Sequence, residues 1–250
     1  MPSPYPRCLP LGEGALTIEL GDGLTEDVRA RVQGLDRALM DRMAAGGLVG
    51  VVEVVPAFRS LTVIFDPLLT DAAAVAAGVQ AALTTAADVS AGAGRRSWTL
   101  PVCYDASLAP DLAEAAERLR LSVTELIAGH SGQEFEVMML GFLPGFPFLG
   151  ELPEALRLPR RTNPRVRVPP GSVAIAGAMT AIYPWESPGG WHLLGNCPVP
   201  LFSAARAAPA LLAVGDRVRF QAISVDAFVA LECERRAGRL DQSRFLESRS

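Results

Sequence analysis

Histidine is nearly missing from this 250-residue chain: there are two, His130 and His192. Cysteine is also scarce. Cys8, Cys103, Cys197 and Cys233 are widely spaced and form no C-x-x-C pair. That spacing argues against a disulfide framework and a structural zinc, and for reduced thiols in a cytoplasmic protein. No apolar run approaches the ~18–20 residues of a membrane span. The opening MPSPYPRCLPLGEG lacks a charged segment followed by an apolar one, so it does not read as a signal peptide. Excess positive charge is missing too. Lys and Arg total 23 against 27 Asp and Glu, for a formal charge of −4, which excludes a general nucleic-acid binder. Neither the phosphate-loop pattern G-x-x-x-x-G-K-[ST] nor the G-x-S-x-G elbow occurs.

What is present is core material. Half the residues are hydrophobic, enough for one large or two small domains and without a disorder signature. Ala15–Leu20 alternates as a strand does. Thr25 is placed to cap a helix to about Ala44, whose Val28, Val32, Leu35, Leu39 and Met43 recur at steps of three and four. Val49–Val55 and Phe58–Phe65 read as strands around Pro56. A second helix runs from Thr70 or Asp71 through Ala87. Gly92-Ala93-Gly94 is a break, and Trp98–Tyr104 reads as a fourth strand. The order β-α-β-β-α-β is that of a ferredoxin-like split unit, here a scaffold or an interaction surface.

Further on, Ala109–Arg118 has a helical apolar side, and Ser122-Val-Thr-Glu125 is a capping box opening a helix that ends near Gly129-His130. Phe135–Leu140 and Arg217–Ala222 read as strands and Ser224–Arg236 as a last helix. Pro209–Val214 is a short helix or loop, and the polar tail 238–250 is expected to fray. Between them, Gly141–Phe202 holds 11 of the 20 prolines, so no long helix fits there. Its short apolar runs, Val166–Val168, Ser172–Ile175, Ala181–Tyr183 and Trp191–Leu194, predict short strands joined by fixed-shape loops, hence a barrel.

The chemistry-bearing side chains concentrate in this stretch, and for each a plain structural role stands beside the functional one. His130, at a helix C-terminus where the dipole favours its protonated form, is either an acid/base or anion-binding group or a capping residue. His192, opposite Trp191 on an alternating strand, is expected to be exposed. Arg157, Arg160, Arg161, Arg165 and Arg167 form a cationic cluster for an anion, or a solvated or partner-facing loop. Arg165 and Arg167 share a face if their segment is a strand. Ser172 is a nucleophile only with a nearby base, and otherwise a turn residue. The turn Ser187-Pro188-Gly189-Gly190 lets backbone approach a ligand. Phe142, Phe146, Phe148, Tyr183, Trp185 and Trp191 wall a small-molecule pocket or fill a core.

The stretch also resembles the family of the 5-oxoprolinase B subunit, also known as allophanate hydrolase subunit 1, which includes a Kip-type inhibitor of a sporulation histidine kinase. GFLPGFPFLG, PRRTNPRVRVPPGSVAIAG, IYPWESPGGW and the following LLG carry the likeness. PVCYD at Pro101–Asp105, Gly129-His130 and VVEVVPAFRSLTVIFDP extend it over nearly the whole chain. The resemblance implies an α+β protein with a ferredoxin-like domain at 1–94 and a cyclophilin-like β-barrel at 95–250. It implies two partners, the C subunit of the same family and an A subunit. With them 5-oxoproline is opened to glutamate at the expense of ATP, held with those partners. A lactam carbonyl is a poor electrophile, and a site that activates it needs cations and aligned N–H donors around developing negative charge. The expected catalytic residues are His130, Arg165 and Arg167. Phe146, Ser172, Tyr183, Gly189, Gly190 and Asn196 are expected around the substrate, with no metal.

Two departures from the family pattern stand out. Met179-Thr180-Ala181 replaces the usual Gln-Thr-Gly, and Gly195-Asn196-Cys197-Pro198 replaces Gly-Arg-Thr-Pro. They suggest a changed ligand or a subunit kept for assembly or regulation. Two other functions stay open. One is a carboxyltransferase-like subunit that acts on an amide or urea with a biotin carrier. Because this chain has no A-M-K-M acceptor motif, another chain would supply that carrier. The second is a non-enzymatic regulator that binds a histidine kinase.

Overall fold

The computed structural model describes residues 5–85 and 96–247. Contacts divide the chain into two compact units, Met1–Gly94 and Arg95–Ser250. The predicted break at Gly92-Ala93-Gly94 and the predicted helix end at Ala87 lie outside the described residues.

The first unit packs two helices on a four-stranded antiparallel sheet. Its elements are β1 (Arg7–Pro10), β2 (Ala15–Glu19), α1 (Glu26–Ala44), β3 (Val51–Pro56), β4 (Ser60–Phe65) and α2 (Ala72–Thr85). Thr25 caps α1, its hydroxyl accepting from the Val28 N–H at 3.4 Å. The stripe Val28, Val32, Leu35 and Leu39 is buried against Leu16, Ile18, Leu61 and Val63 from the sheet. The strand order is β1-β2-β4-β3.

This corrects the predicted β-α-β-β-α-β order in one respect. The place beside β2 belongs to β1, a strand that precedes the pattern and whose four residues are all exposed. It carries no alternation, so periodicity could not find it. The predicted fourth strand, β5 (Ser97–Cys103), belongs to the second unit instead. Five of its seven residues are buried, and such two-sided burial suits a strand covered on both faces.

Besides β5, the second unit uses β6 (Glu134–Leu140), β7 (Pro147–Gly150), β8 (Arg165–Val168), β9 (Ser172–Ala176), β10 (Met179–Ile182), β11 (Ser187–Gly189), β12 (His192–Asn196) and β13 (Arg217–Ile223). Seven of these strands close a barrel of order β10-β7-β6-β13-β5-β12-β9, and β8 pairs with β11 in a separate ribbon. Closure removes sheet edges. Among the described strands only β13 and β5 run parallel, in register over seven residue pairs from Arg217↔Ser97 to Ile223↔Cys103. The core joins Leu100, Val102, Phe135, Val137, Ile175 and Phe220 of the strands to Ala115 and Leu126 of the helices α3 (Leu112–Leu119) and α4 (Val123–Ser131).

The Ser122/Glu125 capping box forms as predicted, Ser122 Oγ accepting from the Glu125 N–H at 3.1 Å and Glu125 accepting from the Ser122 N–H at 2.7 Å. Pro209–Val214 contains no helix; Ala210 instead makes an isolated bridge to Phe202. After α5 (Val225–Arg236) the described part of the tail does not fray. A 3₁₀ turn at Gln242–Phe245 leads Leu246 into a bridge with Trp98, and the Glu247 N–H donates to Ser97 O at 2.8 Å. Phe245, packed against the barrel core, and the backbone polar groups along β5 hold an otherwise polar segment there.

Candidate functional site

His130 lies at the last turn of α4, but it is fully buried. Tyr104 Oη donates to its Nδ1 at 2.8 Å. The Thr180 hydroxyl spends its hydrogen on Ala174 O at 3.1 Å, so His130 Nε2–H is the donor to Thr180 Oγ1 at 2.9 Å. The ring stacks on Phe220, 4.8 Å between centroids. Loss of water drives its pKa from 6.5 down to about 3, because desolvation disfavours the charged form and outweighs a helix-end dipole. The expectation of a protonated His130 is therefore corrected. It is a neutral, fully hydrogen-bonded member of the core. His192 is likewise buried, not exposed, and donates from Nε2 to Pro159 O at 3.0 Å.

The two expected arginines do not converge. Arg165 and Arg167 lie two residues apart on β8, the strand expected there, yet each is taken by a different carboxylate. Arg165 Nη1 donates to Asp111 Oδ2 at 2.8 Å, and Arg161 Nη1 donates to Asp111 Oδ1 at 2.9 Å. Asp111, 1 % exposed, also accepts from the Leu193 N–H at 2.7 Å. It therefore makes no side-chain cap for α3. Arg167 pairs instead with Glu186 at 2.8 Å, with its side chain 75 % exposed. Asp111 carries no signal in the sequence, where it reads as an ordinary residue ahead of a helix.

The aromatics form a packed cluster. Phe146 is buried and sits edge-to-face with Tyr183 and Trp191, at 5.0 and 6.2 Å between centroids. Tyr183 lies so close to Gly189 that a Cβ there would come within 2.5 Å of its Oη. Burial pushes the Tyr183 hydroxyl up to about 12. Gly190 O accepts from the Arg161 N–H at 2.8 Å. Ser172 is buried in β9, and its hydroxyl has no histidine or carboxylate partner among the described residues. A nucleophilic role needs such a base, so the turn role fits it.

Beside this cluster opens a groove of about 1060 Å³. One wall is built from Pro169-Pro170-Gly171, Tyr183-Pro184-Trp185 and the run from Asn196 to Ser203. The rest of the lining comes from α5 and the tail, through Phe228, Glu232, Arg236 and Gln242. Gly171 adopts φ +80°, and a Cβ there would meet Asn196 Oδ1 and Cys197 O at 2.5 Å each. Asn196 Nδ2 donates to Pro170 O at 3.0 Å, tying the end of β12 to the proline turn. Of the expected substrate residues, Tyr183 and Asn196 line the groove. Phe146 and Gly189 pack against Tyr183. Among the described residues, no group of three His, Cys, Asp or Glu side chains is placed to hold a metal ion.

Comparison with known proteins places these segments in a family. Residues 6–212 match the carboxyltransferase domain family, subdomain C and D. The 5-oxoprolinase B subunit of Bacillus subtilis (strain 168) is 38% identical over 224 residues, which cover 86% of this chain and 91% of that protein. The chain belongs to the 5-oxoprolinase B-subunit family. Among solved structures, TTHA0988 is 38% identical with a TM-score of 0.74 over 85% of this chain. This chain spans only 41% of TTHA0988. The Kluyveromyces lactis urea carboxylase shares the fold, with a TM-score of 0.74 at 16% identity, over 94% of this chain and 23% of that one.

Within the family, the two departures have different surroundings. Asn196, at the expected departure after LLG, lines the groove. Met179 starts β10 and packs, half-buried, against the Phe146 cluster. No helix among the described residues is long and apolar enough to cross a membrane.

Proposed function

We propose that this protein is the B subunit of an ATP-dependent, cytoplasmic 5-oxoprolinase, acting with the A and C subunits to open 5-oxoproline to glutamate and inactive alone. The observation that carries the reading is convergence. Two of the segments that carry the family likeness, Pro169-Pro170-Gly171 and Ile182-Tyr183-Pro184-Trp185, line a single groove together with the departing residues that follow LLG. Such a concave site, apolar with a few placed polar groups, is what a small lactam requires. Donors and positive charge at its rim would favour the oxyanion that forms as the amide is broken.

ATP does not fit this chain by itself. The phosphate-loop pattern is absent, and Arg161, Arg165 and Arg167 are already engaged by carboxylates. The partners are therefore the proposed holders of the nucleotide, and no step through it is assigned to these residues. The length of TTHA0988, more than twice the matched region, is consistent with a partner domain next to this one.

The carboxyltransferase reading keeps one specific support, the match to the carboxyltransferase domain family and the fold shared with urea carboxylase. Two steps separate the readings: co-purification with the C subunit, then 5-oxoproline-dependent ATP hydrolysis once the A subunit is present. Glutamate release is the expected result. A stable complex that turns over only with a biotin carrier would replace the first reading with the second. A chain that binds neither partner but captures a histidine kinase would replace both with the regulator.

A further inference from the structure

The groove contains a cation without a counter-charge among the described residues. Arg206 lines it, in a loop between Phe202 and Ala210. Its Nη1 donates to Gln242 Oε1 at 2.6 Å and its Nη2 to Pro200 O at 3.2 Å. Both acceptors are neutral. Its Nε–H is buried and has no partner among the described residues. The neighbouring acids are committed elsewhere. Glu232, in the same lining, accepts from Arg235 on both oxygens at 2.7 Å, and Asp241 accepts from Ser243. Three arginines, Arg206, Arg235 and Arg236, face one glutamate in the lining, so the groove is positive inside an acidic protein.

Arg206 is also held in place. Gln242 Nε2 donates to the same Pro200 O at 3.2 Å, so arginine, amide and carbonyl form one closed set. The tail that carries Gln242 is fastened to β5, with Thr99 Oγ1 donating to Glu247 at 2.6 Å. A fixed guanidinium loses less entropy when it binds, and its planar fork matches a carboxylate. Trp185 and Phe202, 6.1 Å between centroids and inclined at 63°, supply an apolar corner in the same groove. None of the wall formed by α5 and the tail falls within the family match at 6–212.

We propose that Arg206, positioned by Gln242, is the carboxylate anchor of the groove, which binds a small carboxylate-bearing amide or lactam with its ring toward Trp185 and Phe202. The ligand class deepens the 5-oxoprolinase reading and rests on it; the anion site itself does not. Binding of 5-oxoproline and of its uncharged carboxamide is measured by calorimetry on the assembled complex, wild type against Arg206→Gln and Arg206→Lys. Arg206→Gln is expected to weaken 5-oxoproline by about 10- to 100-fold, as for loss of a charged hydrogen bond, and to leave the carboxamide unchanged. Arg206→Lys should fall between. If Arg206→Gln unfolds, Gln242→Ala keeps the charge but frees it, and a smaller loss confined to the carboxylate ligand is expected.

In turnover, KM rises while kcat is largely kept. A complex that turns over 5-oxoproline with the wild-type KM in Arg206→Gln overturns the anchor and leaves the 5-oxoprolinase reading standing. If no wild-type complex turns over 5-oxoproline, the 5-oxoprolinase reading falls, and calorimetry with glutamate and 5-oxoproline decides the anchor. Weaker binding in Arg206→Gln supports it, and equal or undetectable binding overturns it.

Discussion

Asp111→Asn is the perturbation that most directly tests how the arginine-rich segment is held. The carboxylate is 1 % exposed and receives N–H groups from Arg161, Arg165 and Leu193. The asparagine amide keeps the volume but replaces one acceptor with a donor facing a donor. Removing one member of a buried charge cluster costs about 3–5 kcal/mol, because the partners stay desolvated and unpaired. The arginine side chains retain 23% and 26% of their surface, so water screens part of that loss and about 3 kcal/mol is expected. In a unit of this size that corresponds to a fall in Tm of roughly 6–12 °C. All three tryptophans, Trp98, Trp185 and Trp191, lie in the barrel unit. Urea unfolding followed by tryptophan fluorescence therefore reads the correct domain. Arg167→Ala is the control. Its ion pair with Glu186 is exposed, so it should change stability by no more than about 0.5 kcal/mol. An Asp111→Asn protein as stable as Arg167→Ala would refute the assignment of Asp111 as the organising charge.

Two other outcomes are expected. His130 has a folded pKa of about 3 against an ordinary 6.5, so below pH 6.5 the unfolded chain binds a proton that the folded one does not. Stability attributable to this group is complete above 6.5 and falls by up to about 1.4 kcal/mol per pH unit as the pH drops toward 3. His130→Gln should flatten that slope in chemical denaturation at pH 7, 6 and 5, and an unchanged slope would contradict the buried neutral state. Gly171→Ala combines a φ of +80° with a Cβ 2.5 Å from Cys197 O. It should destabilise the barrel unit by about 2 kcal/mol or more by thermal unfolding, and a loss below ~0.5 kcal/mol would mean the turn relaxes freely.

Much of this architecture is legible in the chain because local rules and tertiary demands agree. The stripe of α1, the capping box at Ser122 and the short strands between Pro-Gly turns are set by periodicity and backbone chemistry. The α+β class and the family likewise follow from motifs that sit close together in sequence. The site is less legible. His130 reads as a charged helix-end residue, and its burial against Phe135 and Phe220 depends on strands that follow it in the chain. Arg165 and Arg167 read as a pair, and Asp111, 54 residues before Arg165, separates them. Arg206 carries no local signal at all in the run Ser203–Ala208.

The sequence alone determined the elements, the proline-rich loop stretch and the family, since each depends on neighbours within a turn or two. The tertiary structure decided which strand completes which sheet, which charges are neutralised and which keep no counter-charge. Those outcomes are set by long-range pairing and desolvation. Burial changes the cost of a charge by several kcal/mol, and only the closed barrel fixes which side chains lose their water.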